Sequence, residues 1–227
     1  KISLKVLIIF KIPVLLTIAS TLVVLFISPY GGSMLEWSKI PLFNWIRYTA
    51  SLLLTTFLPG YFLLKILDKK SSIRESAVIA LSYLLSMFVT FLAGFSILVS
   101  GNSISSLGTQ TVVILDLILM ILYYVTSRKR TKRSVLSINW VEVGLILSIL
   151  GVVILGSATV MIYSLPLTSL DMWMHHGLAL QFDDFVKTPP VRGGKWILTY
   201  PYLFHVYLAV LFALSGVPSA LTLQGLY

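Results

Sequence analysis

Apolar runs separated by short charged clusters dominate this chain. Six runs, at residues 12–28, 45–67, 76–99, 111–126, 141–163 and 201–217, have about the length of a helix that crosses a hydrocarbon layer, for which about 20 residues suffice. In lipid every backbone polar group needs an internal partner, so helix is the expected conformation of each run. The pattern predicts an all-α, polytopic transmembrane helix bundle of about six spans. Local signals refine it. Pro59-Gly60 falls in the second half of the second run and predicts a kink there. Ser72 and Glu75 have capping-box spacing, so a helix start is expected near Ile73. Ser100-Gly101-Asn102-Ser103 closes the third run, and the uncharged stretch through Gln110 reads as a loop. Ser82, Ser86, Thr90, Gly94 and Ser96 read as small helix-packing residues. Pro218 ends the sixth run, and residues 219–227 open another apolar segment, so further chain is expected beyond Tyr227.

Composition sharpens the class. Of 227 residues, 57% are hydrophobic and 11% charged, against about 25% charged in a soluble domain. The net charge of +9 does not point to nucleic acid, because the basic residues sit in clusters between apolar runs, as in cytoplasmic loops that meet anionic lipid head groups. The absence of cysteine excludes disulfides, thiolate metal sites and cysteine nucleophiles. Lys1, Lys5 and Lys11 precede the first run as in a signal peptide, but no small-x-small cleavage site follows, so a retained anchor is expected.

The basic residues also predict orientation. Lys1, Lys5 and Lys11 flank the first run; Lys39 in the next loop is offset by Glu36. Lys65, Lys69, Lys70 and Arg74 follow the second run, none follows the third, and Arg128, Lys129, Arg130, Lys132 and Arg133 follow the fourth. This alternation predicts an integral plasma-membrane protein with a cytoplasmic N-terminus and an extracytoplasmic 165–200 loop.

That loop concentrates the polar chemistry. Residues 170–185 hold three of the chain's eight carboxylates and two of its three histidines. At helical spacing Asp171, His175, Ala179 and Asp183 form one stripe, with His176 and Asp184 beside it. Leu178, Phe182 and Phe185 form another, so an external amphipathic juxtamembrane helix is expected. Asp171 and His175, four apart, could ligate a divalent metal ion, or Asp171 could act as a general base tuned by a histidine. The same face also suits a linker helix that merely meets water. In residues 187–196, Lys187, Arg192 and Lys195 with Gly193-Gly194 could hold a phosphate or diphosphate, or form an ordinary surface loop. His205, at the membrane edge of the sixth run, could face the site or pack. Asp116, within the fourth run, could lie on an ion path, pair with Arg47, or be hydrogen-bonded in place. The zinc-protease His-Glu-x-x-His, the Gly-x-Ser-x-Gly elbow and a dinucleotide fingerprint are absent from the sequence.

The order of a span, then Ser169-Leu170-Asp171-Met172-Trp173-Met174-His175-His176-Gly177, then a loop ending Tyr200-Pro201-Tyr202-Leu203-Phe204-His205 and a new span resembles the C-type glycosyltransferase superfamily. Leu58-Pro59-Gly60-Tyr61 and the span from Ser82 to Gly94 resemble the N-terminal region of large prokaryotic membrane proteins linked to it. The resemblance implies a four-span membrane region at 1–140 and the start of a glycosyltransferase core at 141–227. It implies transfer of a sugar from a polyprenyl-phosphate-linked donor to an extracytoplasmic protein or lipid acceptor. Asp171 matches the acidic residue that follows the first core span, and Asp183-Asp184 match further acidic residues of the loop more weakly. On this reading His175, His176, Arg192, Lys195 and His205 bind substrate. The chain departs from the family pattern in having five spans up to and including the one that normally comes first. A transporter or lipid flippase, with Asp116 and Arg47 on its pathway, and a non-catalytic subunit that binds a partner through the external loop are the alternatives.

Overall fold

The computed structural model describes residues 4–30, 40–68, 73–128, 178–179, 191–192, 195–196 and 202–217. The described architecture is helical, apart from one pair of two-residue strands. In chain order the elements are α1 (Leu4–Phe26), α2 (Leu42–Leu52), a π-helical turn (Leu53–Phe57), α3 (Leu58–Leu67), α4 (Glu75–Val99), α5 (Ile104–Arg128), β1 (Val191–Arg192), β2 (Lys195–Trp196) and α6 (Tyr202–Ser215). Three helical stretches, Leu42–Leu67, Ser76–Val99 and Ile104–Thr126, are long and apolar enough to cross a membrane, while Leu203–Ser215 is a shorter apolar helix. The run at 141–163 lies outside the described residues, as do Asp171, His175, His176, Asp183, Asp184 and Lys187.

The bundle is sorted as a membrane protein sorts its residues. Large side chains such as Leu15, Phe26, Leu84, Phe88, Ile114 and Tyr124 are exposed, while Thr17, Ser20, Ser51, Thr55, Ser82, Ser86 and Thr90 are buried. Apolar surface gains nothing by leaving lipid, so helices associate through small residues that admit close backbone contact. The buried hydroxyls cost little, because most return a hydrogen bond to the preceding turn: Thr17 to Pro13 O, Ser51 to Arg47 O, Thr55 to Ser51 O and Ser82 to Val78 O. Four of the five small residues singled out on α4 are buried. The fifth, Ser96, is exposed and bonds Leu92 O.

The expected kink at Pro59-Gly60 takes the form of the π turn. Pro59 has no N–H to give to the carbonyl of Thr55, four residues back. The helix widens just before it, and Leu58 N–H reaches Leu53 O. Thr90 of α4 supplies the missing donor, its hydroxyl 2.8 Å from Thr55 O. Gly60 N–H in turn donates to Ser86 Oγ at 2.8 Å. A Cβ on Gly60 would collide with the carbonyl oxygen of Ser82 and sit 2.7 Å from Ser86 N. Backbone therefore meets backbone where α3 crosses α4.

The ends of α4 and α5 differ from the sequence expectation. α4 begins at Glu75 with Arg74 as N-cap and no side-chain cap. Asp68 instead accepts the N–H of Ile73 at 3.2 Å, so the chain is braced from the previous helix rather than by a capping box. α4 ends on Gly101 at φ 80°, with Gly101 N–H to Leu98 O and Asn102 N–H to Ile97 O. That is a Schellman ending, in which the reversal takes only two residues. The uncharged stretch read as a loop is the first two turns of α5: Ser103 caps it, its Oγ 3.3 Å from the N–H of Ser106.

α6 packs against α2, α4 and α5, so the last described helix belongs to the same bundle as the first four. We expect Gly60→Ala to lower unfolding free energy in detergent micelles by more than about 3 kcal/mol, because the atoms it strikes are backbone and cannot repack. Gly101→Ala meets nothing within 4 Å and carries only the left-handed backbone penalty, roughly 1–2 kcal/mol. Equal losses in a denaturant titration of the two variants would contradict the backbone contact.

Candidate functional site

One end of the bundle is closed by Arg47. Its side chain is 3% exposed, and its hydrogen-bond partners among the described residues are backbone carbonyls. Nε donates to Leu214 O at 2.6 Å, near the end of α6, and one terminal nitrogen donates to the carbonyls of Val24 and Ile27 at the end of α1. Helix C-termini expose carbonyls that lack N–H partners and carry partial negative charge, so a cation with a planar array of donors suits two of them at once. The remaining carbonyls are also met. Gly216 N–H reaches Phe212 O at 2.7 Å, Thr109 Oγ1 donates to Ala213 O at 3.3 Å, and Asn44 Nδ2 donates to Ser28 O at 3.0 Å. Gly216 has φ 68°, and a Cβ there would lie 2.7 Å from Pro29 Cβ, so only glycine lets the end of α6 close on the end of α1. The Arg47–Asp116 pair, one of three readings of Asp116, is not formed: neither carboxyl oxygen of Asp116 has a hydrogen-bond partner.

Asp116 lies on the interior stripe of α5 with Val112, Leu119 and Tyr123, fully buried. Neither of its carboxyl oxygens has a hydrogen-bond partner, and the same holds for the buried Thr21 hydroxyl of α1.

The second polar locus is at mid-depth. Met87, the middle residue of α4, packs against the cluster that holds Tyr207, Leu208 and Leu211 of α6, as does Phe204. Tyr207 is 1% exposed and its hydroxyl hydrogen-bonds with Thr55 of the π turn. Ala179 is 1% exposed and joins this cluster beside Leu52. Leu178 and Ala179 are helical, and Leu178 is the less buried of the two. Ala179 belongs by helical spacing to the stripe of Asp171, His175 and Asp183, and those three residues lie outside the described ones.

Of the candidate site residues, Arg192 and Lys195 are placed by backbone, as directly opposed partners in the antiparallel β1–β2 pair. The signal for this hairpin was in the sequence: Gly193-Gly194 is a two-residue turn dipeptide. His205, expected at the membrane edge, is 1% exposed within the bundle, two residues before Tyr207. Among the described residues no group of three histidine, aspartate or glutamate side chains converges as metal ligands, and the expected pair Asp171 and His175 lies outside them. Tyr207 was not singled out in the sequence, and Arg47 entered only as a partner of Asp116 or a residue of a transport pathway. Arg47 was legible as a charge inside an apolar run, and Ser215-Gly216 was legible as a helix stop.

The chain matches no protein-family model, no curated protein sequence and no solved structure.

Replacing Arg47 by Met keeps length and removes the donors. It should orphan the carbonyls of Val24, Ile27 and Leu214 and lower stability by roughly 3 kcal/mol or more, at about 1–3 kcal/mol per buried group left unpaired. Arg47→Lys should recover part of this. A Met variant that unfolds at the wild-type denaturant concentration would exclude the clamp.

Proposed function

We propose that the chain is a membrane glycosyltransferase, or the N-terminal portion of one, moving a sugar from a polyprenyl-phosphate-linked donor to an extracytoplasmic acceptor. The observation that carries this reading is the burial of Ala179 against Tyr207, Leu208 and Leu211. By helical spacing Ala179 belongs to the stripe of Asp171, His175 and Asp183, and a helix continuous through 170–185 would turn that stripe toward protein. A linker helix would turn the opposite face inward. The backbone register that pairs Arg192 with Lys195 supports the reading, because both are cationic residue types suited to a phosphate.

In this mechanism Asp171 takes the proton of the acceptor hydroxyl. The hydroxyl oxygen bonds the anomeric carbon of the sugar, the bond from that carbon to the phosphate oxygen breaks, and its electron pair leaves on the phosphate. Arg192 and Lys195 neutralise that charge, which is the larger contribution to lowering the barrier. His175, His176 and His205 orient sugar and acceptor. Asp171 and His175 are also the chain's candidates to hold a divalent metal ion, which would supply charge for orienting the acceptor. A prenyl tail in lipid accounts for a site built on a membrane bundle. Asp171→Asn, assayed for transfer from a polyprenyl-phosphate-linked radiolabelled sugar in vesicles, should lose about 10²–10⁴-fold in turnover, the usual contribution of a positioned base. Near-wild-type turnover would overturn the assignment.

A transporter or lipid flippase is favoured by one observation, the buried and unpartnered carboxyl of Asp116. The two readings differ at that residue. If the chain is a transferase, Asp116→Leu leaves transfer unchanged and raises stability by about 1–3 kcal/mol, since it removes an unsatisfied buried group. If it is a transporter, the same variant abolishes uptake or flipping of the labelled lipid.

A further inference from the structure

We infer that α6 is a re-entrant half-helix: it starts at mid-depth in the bundle and ends at the Arg47 face, and the β1–β2 hairpin before it stands at that same face. Length is the first argument. α6 has 14 residues, about 21 Å at 1.5 Å per residue, against a hydrocarbon thickness of about 30 Å.

Its far end is fixed. Leu214 O is held by Arg47, Ala213 O by Thr109 near the start of α5, and Gly216 closes on Pro29 and Tyr30 just past α1. Its near end is also fixed. Gly94 of α4 meets Val206 and Val210, and Met87, midway along α4, packs against the cluster of Tyr207, Leu208 and Leu211. α6 therefore runs parallel to α4 and antiparallel to α5. The sequence reading had this run leaving the 165–200 side and crossing to the opposite face. A helix parallel to α4 that stops where α4 stops does not do that.

Two observations favour the Arg47 face for the preceding hairpin. In the sequence a strong cationic run, Arg128 to Arg133, follows α5 at the end opposite Arg47, and the apolar run at 141–163 is long enough for one return crossing. Ala179 is then buried in one cluster with Tyr207, Leu208 and Leu211, against which Leu52 and Met87 also pack. A half-helix of this kind exposes free N–H groups at mid-depth, which is tolerated only where protein or a polar cavity surrounds them. The hydroxyls of Ser51, Thr55, Thr90 and Tyr207 give that depth its polarity. The site would thus lie below the head-group level and take the polar head of an amphiphile that descends from the Arg47-side leaflet. The ligand class rests on the transferase reading, whereas the path of the chain does not.

The cysteine-free sequence allows a direct test in the full chain. A side chain on Gly108 would place its Cβ 3.4 Å from Ala213 Cβ, close to the Cβ separation of a disulfide. Gly108→Cys with Ala213→Cys should therefore cross-link on mild oxidation. In sealed right-side-out vesicles, Lys195→Cys should react with a membrane-impermeant maleimide on the same side as Asn102→Cys, in the turn between α4 and α5, and on the opposite side from Arg74→Cys. Labelling of Lys195→Cys with the Arg74 side would overturn the re-entrant path. Failure of the 108–213 cross-link would overturn the direction of α6. Neither readout uses a sugar donor, so loss of the transferase assignment at Asp171 leaves both results intact.

Discussion

The arrangement depends on a buried cation that binds backbone instead of a carboxylate. Arg47 gathers the C-terminal carbonyls of α1 and α6 onto one guanidinium, and Gly216 lets the two ends touch. Helix dipoles of two elements converge there with the same sign. A cation stabilises both, and the low dielectric that makes an isolated charge costly strengthens the attraction. Without that closure α6 has little to hold its last turn at this face, because its length does not reach across the bilayer. The position of Tyr207 and of everything packed on it follows from where α6 stops.

A second constraint sets the middle of the bundle. Pro59 removes one donor from its helix, and the chain answers with a π turn and with Thr90 from the neighbouring helix. Local π turns are frequent at functional sites because they re-aim side chains. Here the turn carries Thr55, which meets the hydroxyl of Tyr207 on α6. Gly60, Ser82 and Ser86 bring α3 and α4 close enough for this to happen. The polar interior is thus a consequence of a proline and of small residues, and it lies at the depth where Ala179 docks.

Much of the helical frame was legible in the sequence, because apolar periodicity and Gly or Pro punctuation are local. The runs at 45–67 and 76–99 agree with Leu42–Leu67 and Ser76–Val99 to within a few residues. The start of α5 was not read, because Ser105, Ser106, Gly108 and Thr109 have loop composition and the cap at Ser103 was overlooked. The partner of Arg47 was not legible, since sequence shows carboxylates but not the free carbonyls of helix ends. The direction of α6 was not legible for a related reason. Hydropathy measures length and apolarity along the chain, whereas the direction of α6 is decided by contacts with residues more than 100 positions away, at Thr109 and Arg47. For the candidate site, sequence supplied Asp171, His175, His176, Arg192 and Lys195. The structure adds the hairpin register of the last two and the burial of His205.

The most direct measurement is the contact between the polar stripe and α6. With Ala179→Cys paired in turn with Leu208→Cys and Leu211→Cys in the otherwise cysteine-free chain, oxidation should give an intramolecular disulfide in one or both pairs. Ala179→Cys paired with the exposed Leu203→Cys should give none. Cross-linking to Leu203 alone, or no cross-link in any pair while the protein remains folded in the membrane, would contradict the docking of this segment on α6.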